Sequence, residues 1–437
     1  MESPETPISS SKPHLLPRVS GVAVVNAIGA ALLLLLNLVL ARIAGERGVG
    51  AYNFAWAWIE VIVVFSMLGM DKLAMRDVAY HLANGAWGKL QGLVRGSTLL
   101  LILATVMCAG ILAGAMFLWF GDYFKPVLLT AVLIGMTVVP FRALAFHLHG
   151  VLLGLKKPLH AQIPMFICQP LFTIMIFIVL VIVYGQAYAT GTVAVTASSV
   201  SAFGVAGLSA IYCLKYLPRE MKGVRGEYDL PQWLRVALPM MFLASMTLLN
   251  TRADIIMIGL FKTADDAGIY AVSSRIAEFI RFGALTINPV IAGLIAQHHA
   301  QNQREKLKRV VRSSSRLLLL WSVLSLAVLV SFGYVILGVF GEGFHAGYVP
   351  LLILAVGQFM TLALGPVDSI LLMTGHHYAA AYGLVIATLL NVVLNILLIP
   401  ILGMTGAAIA TAVSASIWSS ILAFAVIKRM HFRPFAF

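Results

Sequence analysis

Residues 22–43 read VAVVNAIGAALLLLLNLVLARI, an apolar run with no charge before Arg42. The hydrocarbon core of a bilayer is about 30 Å thick, so a helix needs roughly 20 such residues to cross it. No water is present there to satisfy backbone amides, and a run of this length crosses as a helix. Eleven further windows repeat the pattern, at 51–70, 97–119, 126–149, 161–184, 193–214, 236–260, 267–296, 317–340, 348–373, 379–401 and 406–427. The expected fold is therefore an all-α integral membrane protein with 12 transmembrane helices.

Composition agrees with this reading. Of 437 residues, 60% are hydrophobic and only 11% charged, against about 25% charged in a soluble domain. The mean hydropathy is +0.95. The formal net charge of +13 does not point to nucleic acid, because the basic residues flank apolar spans instead of coating a soluble surface. In that position they set orientation and meet anionic headgroups of the phospholipid bilayer. Cys108, Cys168 and Cys213 stand singly in apolar segments with no metal spacing, and read as buried, unpaired thiols. Met1 to Ser20 is polar and Pro-rich, without the pattern of a cleaved leader.

The basic residues alternate. Lys12 and Arg18; Lys72, Arg76, Lys89 and Arg95; Lys156 and Lys157; Lys215, Arg219, Lys222, Arg225 and Arg235; Arg304 to Arg316; and Lys428, Arg429 and Arg433 all fall on one face of a twelve-span chain. The other face holds Arg47, Lys125 and Lys262, with Arg42 at its border. Such a bias places both termini in the cytoplasm. Connections on the opposite face are short, so no folded domain is expected there.

Residues 215–235 are polar and contain Pro218, Gly223, Gly226 and Pro231. They read as a cytoplasmic linker between an N-terminal six-helix bundle, 1–214, and a C-terminal one, 236–437. An internal repeat supports the division. Gly50-Ala-Tyr52 followed by Glu60 matches Gly268-Ile-Tyr270 followed by Glu278 at an offset of 218 residues. In transporters, repeats of this kind place the substrate site at their interface near the midplane. The chain has no GxxxxGK[ST], HExxH or GxSxG motif. No cofactor or catalytic residue is expected.

Nine charged residues fall inside spans: Arg42, Glu60, Arg142, Arg252, Asp254, Arg275, Glu278, Arg281 and Asp368. Each costs about 2.5–3.5 kcal/mol at a helix centre, so each needs a partner or water. Arg252, Asp254 and Arg275 lie at similar depth, and Arg275, Glu278 and Arg281 follow at helical spacing. One reading is ion pairing between helices, Arg252 with Glu278 or Arg275 with Asp254. The other is a polar cavity between the halves, in which Arg252, Arg275, Arg281, Arg142 and Arg42 bind a phosphate-bearing substrate through their planar forks.

Simpler roles are expected elsewhere. His147 and His149 read as interfacial histidines. His298-His299 and His376-His377 read as loop pairs, with no metal site. Tyr52, Phe54, Trp56 and Trp58 read as an interfacial aromatic belt. Pro140, Pro164, Pro170, Pro239, Pro289 and Pro366 should kink helices, with a hinge at Gly365-Pro366. Residues 71–95 read either as a helix on the inner leaflet or as extensions of the neighbouring spans.

The segment Leu249-Asn-Thr-Arg252-Ala-Asp254, followed by Ala267-Gly-Ile-Tyr270-Ala-Val-Ser-Ser-Arg275-Ile-Ala-Glu278 and the basic loop 304–316, resembles the Wzx-type polysaccharide flippases. These belong to the multidrug/oligosaccharidyl-lipid/polysaccharide exporter superfamily. The resemblance implies two pseudo-symmetric six-helix bundles in a V, as in MATE transporters. It implies a bacterial inner-membrane protein that flips an undecaprenyl-pyrophosphate-linked oligosaccharide by alternating access, for O-antigen, capsule or exopolysaccharide synthesis. It also implies a proton or sodium ion as coupling cation, carried over here to Asp254, Glu278, Glu60 and Asp368. A polysaccharide polymerase and chain-length proteins would be its partners. A MATE-like drug or metabolite/cation antiporter is the alternative, although the first helix lacks the buried Asp of the drug-exporting branch.

Overall fold

Between residues 18 and 125 the chain has no proline, and its first helix, α1 (Leu15–Ser66), is interrupted only at Gly45, where φ is 66° and ψ −172°. The computed structural model describes residues 15–118, 126–221, 223–432 and 434–435. Lys12, Lys125, Lys222 and Arg433, and residue 119 of the third expected span, lie outside them. Asn53 Nδ2 donates to Asn37 Oδ1 at 3.1 Å across a separation of 16 residues. On a straight helix that separation would span about 24 Å. The helix therefore doubles back at Gly45, and its two limbs lie side by side as two crossings.

The rest of the first half comprises α2 (Met70–Ala83), α3 (Trp87–Leu118), α4 (Pro126–Met136), α5 (Val138–Gly154) and α6 (Pro158–Gln162). A π-turn at Ile163–Cys168, α7 (Gln169–Tyr184) and α8 (Gly191–Tyr216) complete it. The second half comprises α9 (Leu230–Phe261), α10 (Ala264–Ala277), a 3-10 turn at Glu278–Arg281 and α11 (Phe282–Ala300). It continues through α12 (Arg304–Phe340), α13 (Tyr348–Ala363), α14 (Val367–Met373), α15 (His377–Leu402) and α16 (Met404–Met430). Among the described residues there is no β-strand.

Nine of these helices, or 11 counting two bent pairs, are long and apolar enough to cross a membrane. The doubled α1 adds one more crossing, which gives the twelve expected. One bent pair is α4 with α5, turned by 47°. Pro140 accounts for it, since its ring opposes the carbonyl of Met136 one turn back. The other bend, 44° between Asn288 and Val290, lies at Pro289. Gly365, with φ +82°, and Pro366 separate α13 from α14, so the expected hinge is a true break.

Some sequence expectations need correction. α9 begins at Leu230 with Asp229 capping it, so the last residues of the 215–235 stretch are helical. Segment 71–95 divides in two. α2 buries Met70, Leu73, Ala74 and Val78 against the protein, and α3 carries the third span back to Trp87. Of the cysteines, only Cys213 is buried; Cys108 and Cys168 are half-buried, and all three are free. Tyr52, Phe54 and Trp56 are buried in the main apolar core and form no interfacial belt.

The two halves meet where α1 packs on α9, α10 and α12 and where α2 packs on α9. On the face opposite the basic one, the glycines of the internal repeat touch each other. A Cβ on Gly268 would collide with the Glu46 carbonyl and sit 2.7 Å from Gly50 N; one on Gly50 would collide with the Ala264 carbonyl. Backbone meets backbone there, and no larger residue fits. Pseudo-symmetry explains the repeated glycines, because each is the other's neighbour. Gly268→Val is therefore expected to wedge the halves apart. With Ala264→Cys as reporter in a chain lacking the three native cysteines, its reaction rate with a water-soluble maleimide should rise. An unchanged rate would show that the contact does not seal this face.

Candidate functional site

The second limb of α1 carries Glu60 two turns beyond Tyr52, on the wall that faces the other half. Its carboxylate is the meeting point of the buried charges. Arg252 of α9 donates from Nε to Glu60 Oε2 at 2.6 Å, and Arg142 of α5 approaches Oε1 at 3.4 Å. Trp56, one turn earlier on α1, donates from Nε1 to Oε1 at 3.1 Å. One acid thus holds a guanidinium from each half. The three charged side chains are only 10–16% exposed, so their attraction is little screened.

An aromatic stack supports the cluster. Tyr52 and Trp56 stack with centroids 5.7 Å apart, and the Arg142 guanidinium lies 4.4 Å from the Trp56 ring and 4.9 Å from that of Phe146. Cation–π contact of this kind strengthens when water is excluded. Trp56 is thereby committed to Glu60 and Arg142.

The remaining charges are placed differently from the pairs expected. Asp254 is not paired with Arg275. Its Oδ2 accepts from Tyr270 Oη at 2.7 Å and its Oδ1 from the Ile255 amide at 2.8 Å. Tyr270 belongs to the repeat signature; its counterpart Tyr52 accepts from Ser198 Oγ at 3.4 Å. Arg252 is paired with Glu60 and not with Glu278. Glu278 takes Arg275 instead, at 3.5 Å along the same helix. Arg42 stands apart from the cluster, donating from Nε to the Val339 carbonyl at 2.7 Å near the opposite face. Asp368 is also apart, at the start of α14.

Two neighbouring cavities open beside the cluster in the second half. The smaller, about 80 Å³, is polar, with Asn250, Asp254, Glu278, Gln358 and Thr411 in its wall. The larger, about 380 Å³, lies between α11, α12, α14 and α16, with Leu285, Leu318 and Leu422 beside Asn288 and Asp368. Arg281, Thr361 and Trp418 line both. Among the described residues Arg281 has no ion-pair partner, so at the seam of a polar and a largely apolar cavity stands an uncommitted guanidinium. Asn250 Oδ1, Asn288 Oδ1 and Trp418 Nε1 are buried there without a hydrogen-bond partner. Among the described residues no three His, Cys, Asp or Glu gather as metal ligands.

Uncharged polar residues escape a search for buried charges. Asn391 Nδ2 reaches Thr411 Oγ1 and Ser414 Oγ, each at 3.2 Å, and Asn395 Nδ2 reaches Asn391 Oδ1 at 3.0 Å. The four-residue spacing of two asparagines within an apolar span was the available signal.

The fold is all-helical and of membrane-spanning length, and ionisable groups are buried where its halves meet. The family model described as polysaccharide biosynthesis protein matches residues 18–295, more than half of the chain, and the chain belongs to that family. A second model, MatE, matches residues 239–397. The probable low-salt glycan biosynthesis flippase Agl15 of Haloferax volcanii is 27% identical over 165 residues, 38% of this chain. The match spans about a third (35%) of the length of that curated relative.

Solved structures show the fold. An inward-facing MATE multidrug transporter of the MOP superfamily superposes with a TM-score of 0.76 at 12% identity, over 94% of this chain and 98% of that one. The lipid II flippase MurJ, in an inward closed conformation, gives 0.73 at 15% identity, over 93% and 87%. A MOP transporter from Pyrococcus furiosus gives 0.65 at 12%, over 94% and 95%. The resemblance read from residues 249–278 is borne out by the family model, and the fold is one that a MATE transporter and MurJ share.

Removing one partner from a buried ion pair costs about 3 kcal/mol or more, because the other charge stays buried. Glu60→Gln should therefore destabilise the protein in detergent by about that much, and Glu60→Gln/Arg252→Gln should recover part of the loss. Thermal or denaturant unfolding measures this. If the double variant shows the plain sum of both single losses, the two side chains are not coupled.

Proposed function

We propose that the chain flips an undecaprenyl-pyrophosphate-linked oligosaccharide across the bacterial inner membrane, for O-antigen, capsule or exopolysaccharide synthesis. The observation that carries this reading is Arg281, an uncommitted guanidinium where a polar cavity joins a largely apolar one. A lipid-linked glycan has the same order: sugar, then phosphate, then hydrocarbon. Its phosphates suit the planar fork of arginine. Both termini lie in the cytoplasm in this reading, with the basic face inward.

Glu60 supplies the alternating-access step. Its carboxylate occupies Arg142 and Arg252. A pyrophosphate drawn up from Arg281 competes for the same two arginines, through Arg275 on the way. As Arg252 leaves Glu60, the link between bundle 1–214 and bundle 236–437 across segment 215–235 loosens, and the halves can rock. Asp254 and Glu278, in the wall of the polar cavity, are the proposed sites for a coupling proton or sodium ion. Arg42 holds the opposite face and Asp368 the mouth of the larger cavity. A polysaccharide polymerase and chain-length proteins would receive the product. The MatE match over 239–397 favours, as the second reading, a drug or metabolite/cation antiporter.

Arg281→Ala is expected to abolish surface polysaccharide while protein levels stay unchanged, and Arg252→Ala and Arg275→Ala to reduce it strongly. Immunoblotting of the polysaccharide and of the protein reads both quantities. Normal polysaccharide in all three variants would remove the phosphate role. Glu278→Gln should change the dependence of flipping on the proton or sodium gradient; transport with the same dependence would clear Glu278 of coupling.

A further inference from the structure

At the basic end of the second half, three stretches distant in sequence, 298–308, 376 and 429–432, close around a cavity of about 210 Å³. His298 and His299 come from the last turn of α11, and Arg304 and Lys308 from the first turns of α12. His376 comes from the turn before α15, Arg429 from the last turn of α16, and His431 from the residue after it. Among the described residues that line it there is no carboxylate. Glu305 holds only the Lys308 ammonium, at 2.8 Å.

Charges that merely orient a membrane protein need only lie on one face. Here they converge, and the structure holds them together. Leu307 in its wall belongs to a buried apolar cluster with Val311, Ile295 and Val426. Ser315 Oγ donates to the Pro434 carbonyl at 2.6 Å, which fastens the segment after α16 to α12. His431 adopts a left-handed φ of 56°, uncommon for a residue other than glycine. His298 Nδ1 is bonded to Gln303 Oε1, and His376 Nδ1 to Thr374 Oγ1, both at 3.1 Å. The Nε2 atom of each ring is thus the one left for a ligand.

Two arginines in the wall disfavour a metal ion and favour an anion. We propose that this cavity is a second phosphate site, separate from the central cavities, which takes a phosphate-ester or pyrophosphate group. Arg304 and Arg429 supply the charge and the forked donors, and an imidazole donates from Nε2 when it carries its second proton. The chemistry of recognition is the same for the phosphate of a lipid headgroup and for that of a soluble compound, and the test separates the two.

The test uses the purified full chain. Inorganic pyrophosphate is titrated in detergent by calorimetry, and phosphatidylglycerol retained from mixed micelles is counted by native mass spectrometry. His376→Gln/Arg429→Gln removes two ligating groups from an exposed rim, and its elution profile and melting temperature without ligand check the fold. In an Arg281→Ala background, which removes the proposed central phosphate contact, the double variant should weaken whichever ligand binds by about tenfold or more. Loss with pyrophosphate identifies a soluble source, and loss with phosphatidylglycerol alone a lipid source. Binding of neither ligand by the wild-type chain, or equal binding by the double variant, would overturn the proposal.

Discussion

One carboxylate shared by two guanidiniums organises this molecule. Glu60 is the acid through which α5 of the first half and α9 of the second are joined by charge. In a low-dielectric setting none of the three can be left alone, because an isolated buried charge costs several kcal/mol. That constraint has two consequences. It joins the halves by charge, and it means that an anion can take the carboxylate's place directly, whereas a cation or proton releases the arginines only by taking Glu60 itself. The charge balance at the centre thus bears on substrate class even though arginines and acids nearly cancel in number.

The shape around the cluster follows from small residues and interruptions. Gly50 and Gly268 let α1 and α10 approach until backbones touch, which closes the face opposite the basic one. The other helices are broken near the functional groups: a 3-10 turn from Glu278 to Arg281, a bend near Pro289, and the Gly365–Pro366 gap beside Asp368. Freed backbone groups at such breaks are tolerated in a membrane only beside protein or water. The cavities lie along this line of breaks, in the half that the MatE model also matches.

Much of this was legible in the sequence. Hydropathy alone located twelve crossings, because spanning length is fixed by bilayer thickness, and the windows 22–43 and 51–70 are the two limbs that meet at Gly45. The Gly50/Gly268 repeat was visible as text, although its meaning as mutual contact was not. Charge pairing was less legible. Helical spacing tells which face a residue is on, not which of several helices lies opposite, and Arg252 and Glu60 are 192 residues apart. Arg275 with Glu278 is the pair that local spacing could reach. Trp56 looks interfacial because it stands near a helix end, until its neighbours prove to be Tyr52, Glu60 and Arg142 of its own half. Asn391, Asn395 and Thr411 carry no charge to mark them.

The most direct test of the Glu60 latch is a distance between the halves. Spin labels on Asn84→Cys and Asn302→Cys, exposed turns at the basic end of each half, can be measured by double electron–electron resonance in a chain freed of its three native cysteines. The wild-type latch should give one narrow distance distribution, and Glu60→Gln or Arg252→Gln should add a second, displaced population. Identical distributions in all three proteins would contradict the view that this carboxylate governs how the two bundles sit together.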